Sequence, residues 1–195
     1  MNHREYFDKH AAAWDNDIRE QTLLRLEKII SLIDIHPQDQ ILDVGCGTGI
    51  LWSYLKRIVR QNEYIHALDI SYNMLKKAGQ KHNPDFNGVQ ADIQYAPFKS
   101  ELYDKVICFA CFPHFTDKCM ALCEISRMLK GNGQVIIAHA FSRVDMNAFH
   151  HGVGDVVGED RIPEDKIMEE MIRKAGFSNI NIIDFTDLYM AVGVK

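Results

Sequence analysis

Residues 39–49 read Asp-Gln-Ile-Leu-Asp-Val-Gly-Cys-Gly-Thr-Gly, and this stretch constrains the fold more than any other. Ile41, Leu42 and Val44 form a short aliphatic run that stops at glycines, the pattern of a strand buried on both faces. From Thr48 to Arg60, apolar pairs recur at Ile50/Leu51, Tyr54/Leu55 and Ile58/Val59, a helical period. Strand, glycine turn and helix in that order bring bare backbone to a ligand at the start of the helix. Gly45, Gly47 and Gly49 carry no Cβ, so the turn is free to take positive φ. Asp43 lies inside the strand end, where an unpaired buried carboxylate is costly. It is expected beneath the turn, accepting from backbone N–H groups or from a ligand's ammonium. Asp69 follows Ile65, Ala67 and Leu68 about twenty residues after the last glycine, where a nucleoside-binding sheet places an acid for ribose hydroxyls.

Leu42-Asp43-Val44-Gly45-Cys46-Gly47-Thr48-Gly49 resembles the first motif of class I S-adenosylmethionine-dependent methyltransferases. The dinucleotide fingerprint fits poorly, because Ile50 stands three places after Gly47 where that pattern wants glycine or alanine. Further stretches resemble the family in order and spacing. Ala67-Leu68-Asp69-Ile70-Ser71 with Met74-Leu75 is similar to its second motif and Val89-Gln90-Ala91-Asp92-Ile93 to its third. Tyr103-Asp104-Lys105-Val106-Ile107 with Cys108-Phe109-Ala110 is similar to the fourth, and Leu129-Lys130-Gly131-Asn132-Gly133-Gln134 to the turn into strand five. The start, Tyr6-Phe7-Asp8-Lys9-His10-Ala11 with Trp14-Asp15, resembles small-molecule members such as quinone-biosynthesis methyltransferases.

The resemblance implies a Rossmann-like three-layer α/β sandwich, with a mostly parallel seven-stranded sheet closed by a C-terminal antiparallel hairpin. It implies S-adenosyl-L-methionine as cofactor and S-adenosyl-L-homocysteine as product. The cofactor-binding set that follows is Tyr6, Asp43, Gly45, Cys46, Gly47, Gly49, Asp69, Ile70, Met74, Asp92, Ile93 and Phe109. In the family an acid at Asp92 accepts from the adenine amino group while its neighbour packs on the ring.

A chain of 195 residues, 47% apolar, suits one domain over 1–195 with a full core. Its net charge of −5, with acids and bases interspersed, argues against tight nucleic-acid binding. No apolar run reaches spanning length and Met1-Asn2-His3-Arg4-Glu5 is not a signal peptide, so a cytoplasmic location is expected, as monomer or homodimer. Five cysteines, an odd number, point to reduced thiols. Cys108-x-x-Cys111 and Cys119-x-x-x-Cys123 invite a zinc reading, but burial as small hydrophobes accounts for all four and no metal is expected there.

Residues 1–36 supply an N-terminal lid and helices: Phe7 and Trp14 stand alone in a polar start, and helical spacing runs from Ile18 to Ile33 before Pro37. The start is either a lid across the cofactor mouth, with Tyr6 or Phe7 touching the ligand, or a surface helix held down by Phe7 and Trp14. Tyr64–Ile70 reads as strand two, Ser71 as the N-cap of a helix through Lys81, and Val89 as the centre of a short strand. Lys105–Ala110 is strand four, Thr116 or Asp117 opens a helix ending at Lys130-Gly131, and Gln134–Ala138 is strand five. Residues 140–162 are the candidate acceptor-site segment. A helix from Pro163 to Gly176 with Ile167, Met168, Met171, Ile172 and Ala175 inward precedes strands at Ile180–Ile183 and Leu188–Val194.

Methyl transfer needs alignment of a nucleophile and, if the nucleophile arrives protonated, a base. His114, His139 and His150 are the catalytic candidates, because they follow strands four and five, whose ends face the methyl group in this architecture. They are open to a role as base, as metal ligands (His139 and His150) or as structural groups; His3, His10, His36, His66 and His82 read as surface residues. Phe112, Phe115 and Phe141 wall an apolar acceptor pocket or belong to the core. Cys111-Phe112-Pro113-His114 lacks the paired carbonyls that methylation of an amide nitrogen requires. The expected activity is methyl transfer to a small-molecule acceptor. The alternatives are a nicotinamide-dependent oxidoreductase and a non-catalytic cofactor-binding regulator.

Overall fold

Four parallel strands run side by side through the middle of the sheet because their residues are apolar on both faces. The computed structural model describes the backbone of residues 1–195 and every side chain except that of Asp17. The strands are β1 (Ile41–Val44), β2 (Ile65–Asp69), β3 (Gly88–Gln90), β4 (Tyr103–Phe109), β5 (Leu129–His139), β6 (Ser178–Phe185) and β7 (Leu188–Val194), in the order β3-β2-β1-β4-β5-β7-β6. Pairings from β3 through β5 are parallel; β7 is antiparallel to both β5 and β6, as a closing hairpin requires.

Strand alternation sorts the core into two layers. Leu42, Val44, Val106, Cys108, Val135 and Ile137 pack under α5 (Lys118–Met128) and α7 (Asp165–Lys174), with Leu122, Ile125, Met168 and Ile172 from the helices. Ile41, Ile65, Ile107, Phe109 and Ile136 pack on the other face against α2 (Glu20–Leu32) and α3 (Trp52–Ile58), through Leu26, Ile29, Trp52 and Leu55. α1 (His3–His10) and α4 (Tyr72–His82) lie together near the carboxyl edge of the sheet. Ser71 caps α4, accepting from Met74 N at 3.1 Å, and Asp117 caps α5, accepting from Met120 N at 2.9 Å.

The structure departs locally from the sequence pattern. The helix expected to run to Lys130-Gly131 ends at Met128, and β5 starts at once, with Asn132 rather than a glycine taking the left-handed turn (φ 65°). The Tyr103–Leu129 pair extends the β4–β5 ladder through an irregularity, so extended backbone outcompetes a glycine cap. Residues 140–162 contain α6 (Arg143–Val153), capped by Ser142, whose Oγ accepts from Asp145 N. Val144, Phe149 and Val153 are exposed there, so no apolar stripe announces the helix. On α7, Ile167 faces solvent. Cys119 and Cys123 are also exposed, against the burial expected for them, because Ala121, Leu122 and Ile125 form the inward face of α5.

Candidate active site

The strand order reverses direction between β1 and β4, and a cavity of about 220 Å³ opens at the carboxyl ends of β1, β2 and β4. Gly45, Cys46 and Gly47 form one wall, Asp69, Ile70 and Met74 a second, and Asp92, Ile93 and Phe109 a third. His114 and Phe115, beyond β4, line the far end, and His3, Phe7, Trp14, Ile18 and Thr22 roof it. The lining is mostly apolar and aromatic with a few convergent polar groups, the usual make-up of a small-molecule site.

The glycine turn is closed on itself. Gly45 N and Cys46 N donate to Leu68 O at 2.7 and 3.1 Å, Gly49 N to Cys46 O at 2.9 Å, and Gly47 N to Asp69 Oδ2 at 2.8 Å. Those four N–H groups therefore leave no cradle for a pyrophosphate, in contrast to a dinucleotide-binding turn. The three glycines, all at positive φ, serve different ends. A Cβ at Gly45 would fall on the Cys111 side chain, and one at Gly49 would lie 2.8 Å from the His82 ring. At Gly47 it would meet only Trp14 Nε1, at 3.9 Å, so the face toward the cavity is open.

The acids divide similarly. Asp69 accepts from Gly47 N and from Ser71 N, both at 2.8 Å. Burial raises its carboxyl to about 6, against those two hydrogen bonds, which favour the anion. Asp92 accepts from Gln94 N at 2.9 Å and from the Gln94 amide, which holds it at the cavity wall. Asp43 sits beneath the turn, outside the lining, and its Oδ2 has no hydrogen-bond partner among the described residues. Burial, reinforced by the Asp69 charge, pushes its carboxyl well above the ordinary range.

At the far end the chain turns through Ala110, at φ 55°, which tucks Cys111 under Val44 O and swings His114 to the cavity. A non-glycine residue there costs about 1 kcal/mol, so the turn is held by what surrounds it. His114 Nδ1 donates to Asp160 Oδ2 at 2.7 Å, and His3 Nε2 donates to the same oxygen at 2.9 Å. Burial lowers the His114 imidazole, with Asp160 opposing, so the ring is neutral near pH 7 with its free lone pair on Nε2. Burial also disfavours the Asp160 charge, but the two histidine hydrogen bonds outweigh it and hold the carboxyl below the usual range. The His150 ring lies 4.9 Å from that of His114, and its Nδ1 donates to Asp160 O at 3.2 Å.

The methyltransferase domain family matches residues 42–137, from β1 through most of β5. The ubiquinone/menaquinone biosynthesis C-methyltransferase UbiE of Vibrio parahaemolyticus is 28% identical, over 93% of this chain and 82% of that protein. The chain belongs to the class I S-adenosylmethionine-dependent methyltransferases. An uncharacterized protein of Methanocaldococcus jannaschii is 34% identical over 72% of the chain, which spans about half of that relative's length (52%). A chain from the complex of Haloferax volcanii Trm112 methyltransferase activator with its methyltransferase superposes with a TM-score of 0.79 at 20% identity, covering 96% of each chain, a likeness of fold.

The methyltransferase's residues fit its cofactor. Asp43 Oδ2 is a buried acceptor lacking a donor, the complement of an ammonium group, and Gly47 offers bare backbone to the cavity. Of the expected binding residues, Gly45, Cys46, Gly47, Asp69, Ile70, Met74, Asp92, Ile93 and Phe109 line the cavity. Tyr6 does not: it is buried against Phe7 and His10, and Phe7 takes the lining position. Gly49 lies outside as well, its open side spent on α4.

Of the expected catalytic histidines only His114 reaches the cavity. His150 stands behind it, and His139 is fully buried at the end of β5, paired in register with Tyr189 of β7. His3, expected on the surface, roofs the cavity, and Asp160, without a sequence signal of its own, joins the two ends. Phe115 lines the cavity, Phe112 is core, and Phe141 lies outside under Arg25. Among the described residues, no helix is long and apolar enough to cross a membrane.

Proposed function

We propose that this methyltransferase methylates a small aromatic acceptor bearing an acidic hydroxyl, with His114 as the proton acceptor. The observation that carries the reading is a single cavity with the glycine turn, Asp69 and Asp92 at one end and His114 among aromatic side chains at the other. Bound there, the cofactor supplies a methyl group on a sulfonium for in-line displacement. Asp43 and Asp69 would hold the amino-acid and ribose ends and Asp92 the adenine, between Ile70 and Ile93. Phe7, Trp14 and Phe115 line the cavity with apolar aromatic surface that would exclude water and orient a ring. Asp160 fixes the His114 proton on Nδ1, so Nε2 is the atom left to take the acceptor's proton as its oxygen or ring carbon becomes nucleophilic. The likeness to a quinone-pathway C-methyltransferase supports a phenolic acceptor, since a phenolate activates its ring carbons.

The test is turnover to S-adenosylhomocysteine with a panel of phenols and hydroquinones set against amines and carboxamides. Turnover confined to the hydroxylated aromatics, and lowered about 100-fold or more in His114→Ala with cofactor affinity within about threefold of the parent, is the expected result. Amine turnover insensitive to His114→Ala would overturn it.

A further inference from the structure

Side chains from three distant parts of the chain converge on one oxygen atom. Asp160 Oδ2 receives both His114 Nδ1, at 2.7 Å, and His3 Nε2, at 2.9 Å. Neither donor uses Oδ1, although sharing the two oxygens would satisfy a carboxylate better. The three candidate ligand atoms all lie within 4.8 Å of one another and are only partly exposed. We propose that His3, His114 and Asp160 form a binding site for one divalent transition-metal ion, with Zn²⁺ as the fitting case.

Imidazole nitrogens select zinc, cobalt or nickel over magnesium or calcium. Two ligand atoms each about 2.0–2.1 Å from zinc stand roughly 3.3 Å apart at the tetrahedral angle, so each N···O pair must open by about half an ångström. His3 is the first residue of α1 and its side chain is partly exposed, so its ring has room for such a shift. Three protein ligands leave the fourth position to water, as in open zinc sites. His150, donating to the Asp160 main-chain oxygen, steadies the segment that carries the carboxylate.

Metal binding moves one proton within each imidazole: from Nδ1 to Nε2 in His114, and from Nε2 to Nδ1 in His3. With its Nε2 protonated, His114 has no lone pair for an acceptor proton, and α1 is pinned across the cavity. The loaded form is therefore inactive. This consequence rests on His114 as proton acceptor; the binding site itself does not.

The experiment titrates the full chain, freed of metal by chelator and dialysis, with Zn²⁺ by calorimetry and with Co²⁺ by visible absorption. Cys119 and Cys123, exposed one helical turn apart on α5, are a rival thiolate site, so the parent is compared with Cys119→Ser/Cys123→Ser, His3→Ala and Asp160→Asn. The expected result is one ion per chain, retained in the double serine variant and weakened about tenfold or more in His3→Ala and Asp160→Asn, whose folding is checked by circular dichroism. Cobalt bands free of sulfur charge transfer, and turnover that falls in step with zinc occupancy, complete it. Absence of binding, or binding lost only in the serine variant, would overturn the site; full turnover at saturating zinc would overturn the off state. S-adenosylhomocysteine binding to the metal-free protein, read in the same calorimeter, tests the methyltransferase assignment separately.

Discussion

Asp69 is pulled in two directions, and the balance sets a measurable pH dependence. Burial favours its protonated form, while Gly47 and Ser71 donate to the anion, leaving it near 6. Without ligand, the native state binds this proton more tightly than the unfolded chain does. The associated stabilisation, about 3 kcal/mol at most, is present below the ordinary carboxylate pKa and lost as pH rises through about 6. In the proposed site cofactor binding has the opposite sign, because ribose hydroxyls would donate to the carboxylate. S-adenosylhomocysteine affinity measured by calorimetry should be flat above pH 7 and fall about tenfold per unit below 6. Asp69→Ala should lose about 2 kcal/mol of affinity at pH 7.5 and abolish the pH slope. An unchanged slope in that variant would place the titration elsewhere.

At the level of elements, the glycine turn separates folding from binding. Gly47→Ala pays for its positive φ, about 1 kcal/mol, but meets no neighbour closer than Trp14 Nε1. Thermal unfolding should show a small loss of stability, and calorimetry a loss of cofactor affinity of about 100-fold as the methyl occupies the ligand's face. Gly45→Ala carries the same backbone strain and also collides with Cys111, so it should destabilise by more than about 3 kcal/mol. Equal Tm values for the two would contradict this division. Strands and the helices behind them are legible in the chain because two-sided burial leaves aliphatic runs and glycine stops, as in Ile41–Val44. The start of β5 is not, since Gly131 and Gly133 look like a helix stop and only the Tyr103–Leu129 pair with β4 shows that the strand has already begun. α6 is hidden because its apolar side chains point outward, leaving Met146 and His150 to dock it.

Across the whole molecule, what the sequence could not display is what the topology brings together. Motif residues fall within short windows, so their shared cavity wall is readable; His3, His114 and Asp160 lie on three separate segments and meet only in space. His139 is a further product of that closure, since β7 comes to rest beside β5 and seals it. Neither ring nitrogen has a partner among the described residues, nor has the Tyr189 hydroxyl, whose ring centroid is 6.4 Å away. Burial, with smaller contributions from His114 and His150, lowers the imidazole to about 3. A histidine depressed on folding contributes stability that is whole above its unfolded pKa of about 6.5 and declines as pH falls toward 3. Each unit in that window costs about 1.4 kcal/mol, so the full window approaches the total stability of an ordinary domain. His139→Leu, close in volume and apolar, removes both the titration and two unsatisfied nitrogens. Acid unfolding followed by circular dichroism should therefore shift to lower pH, by about one unit, while Tm at pH 7.5 holds or rises. An unshifted acid midpoint would mean that the fold accommodates the charged ring, and that His139 is open to water from the cavity side after all.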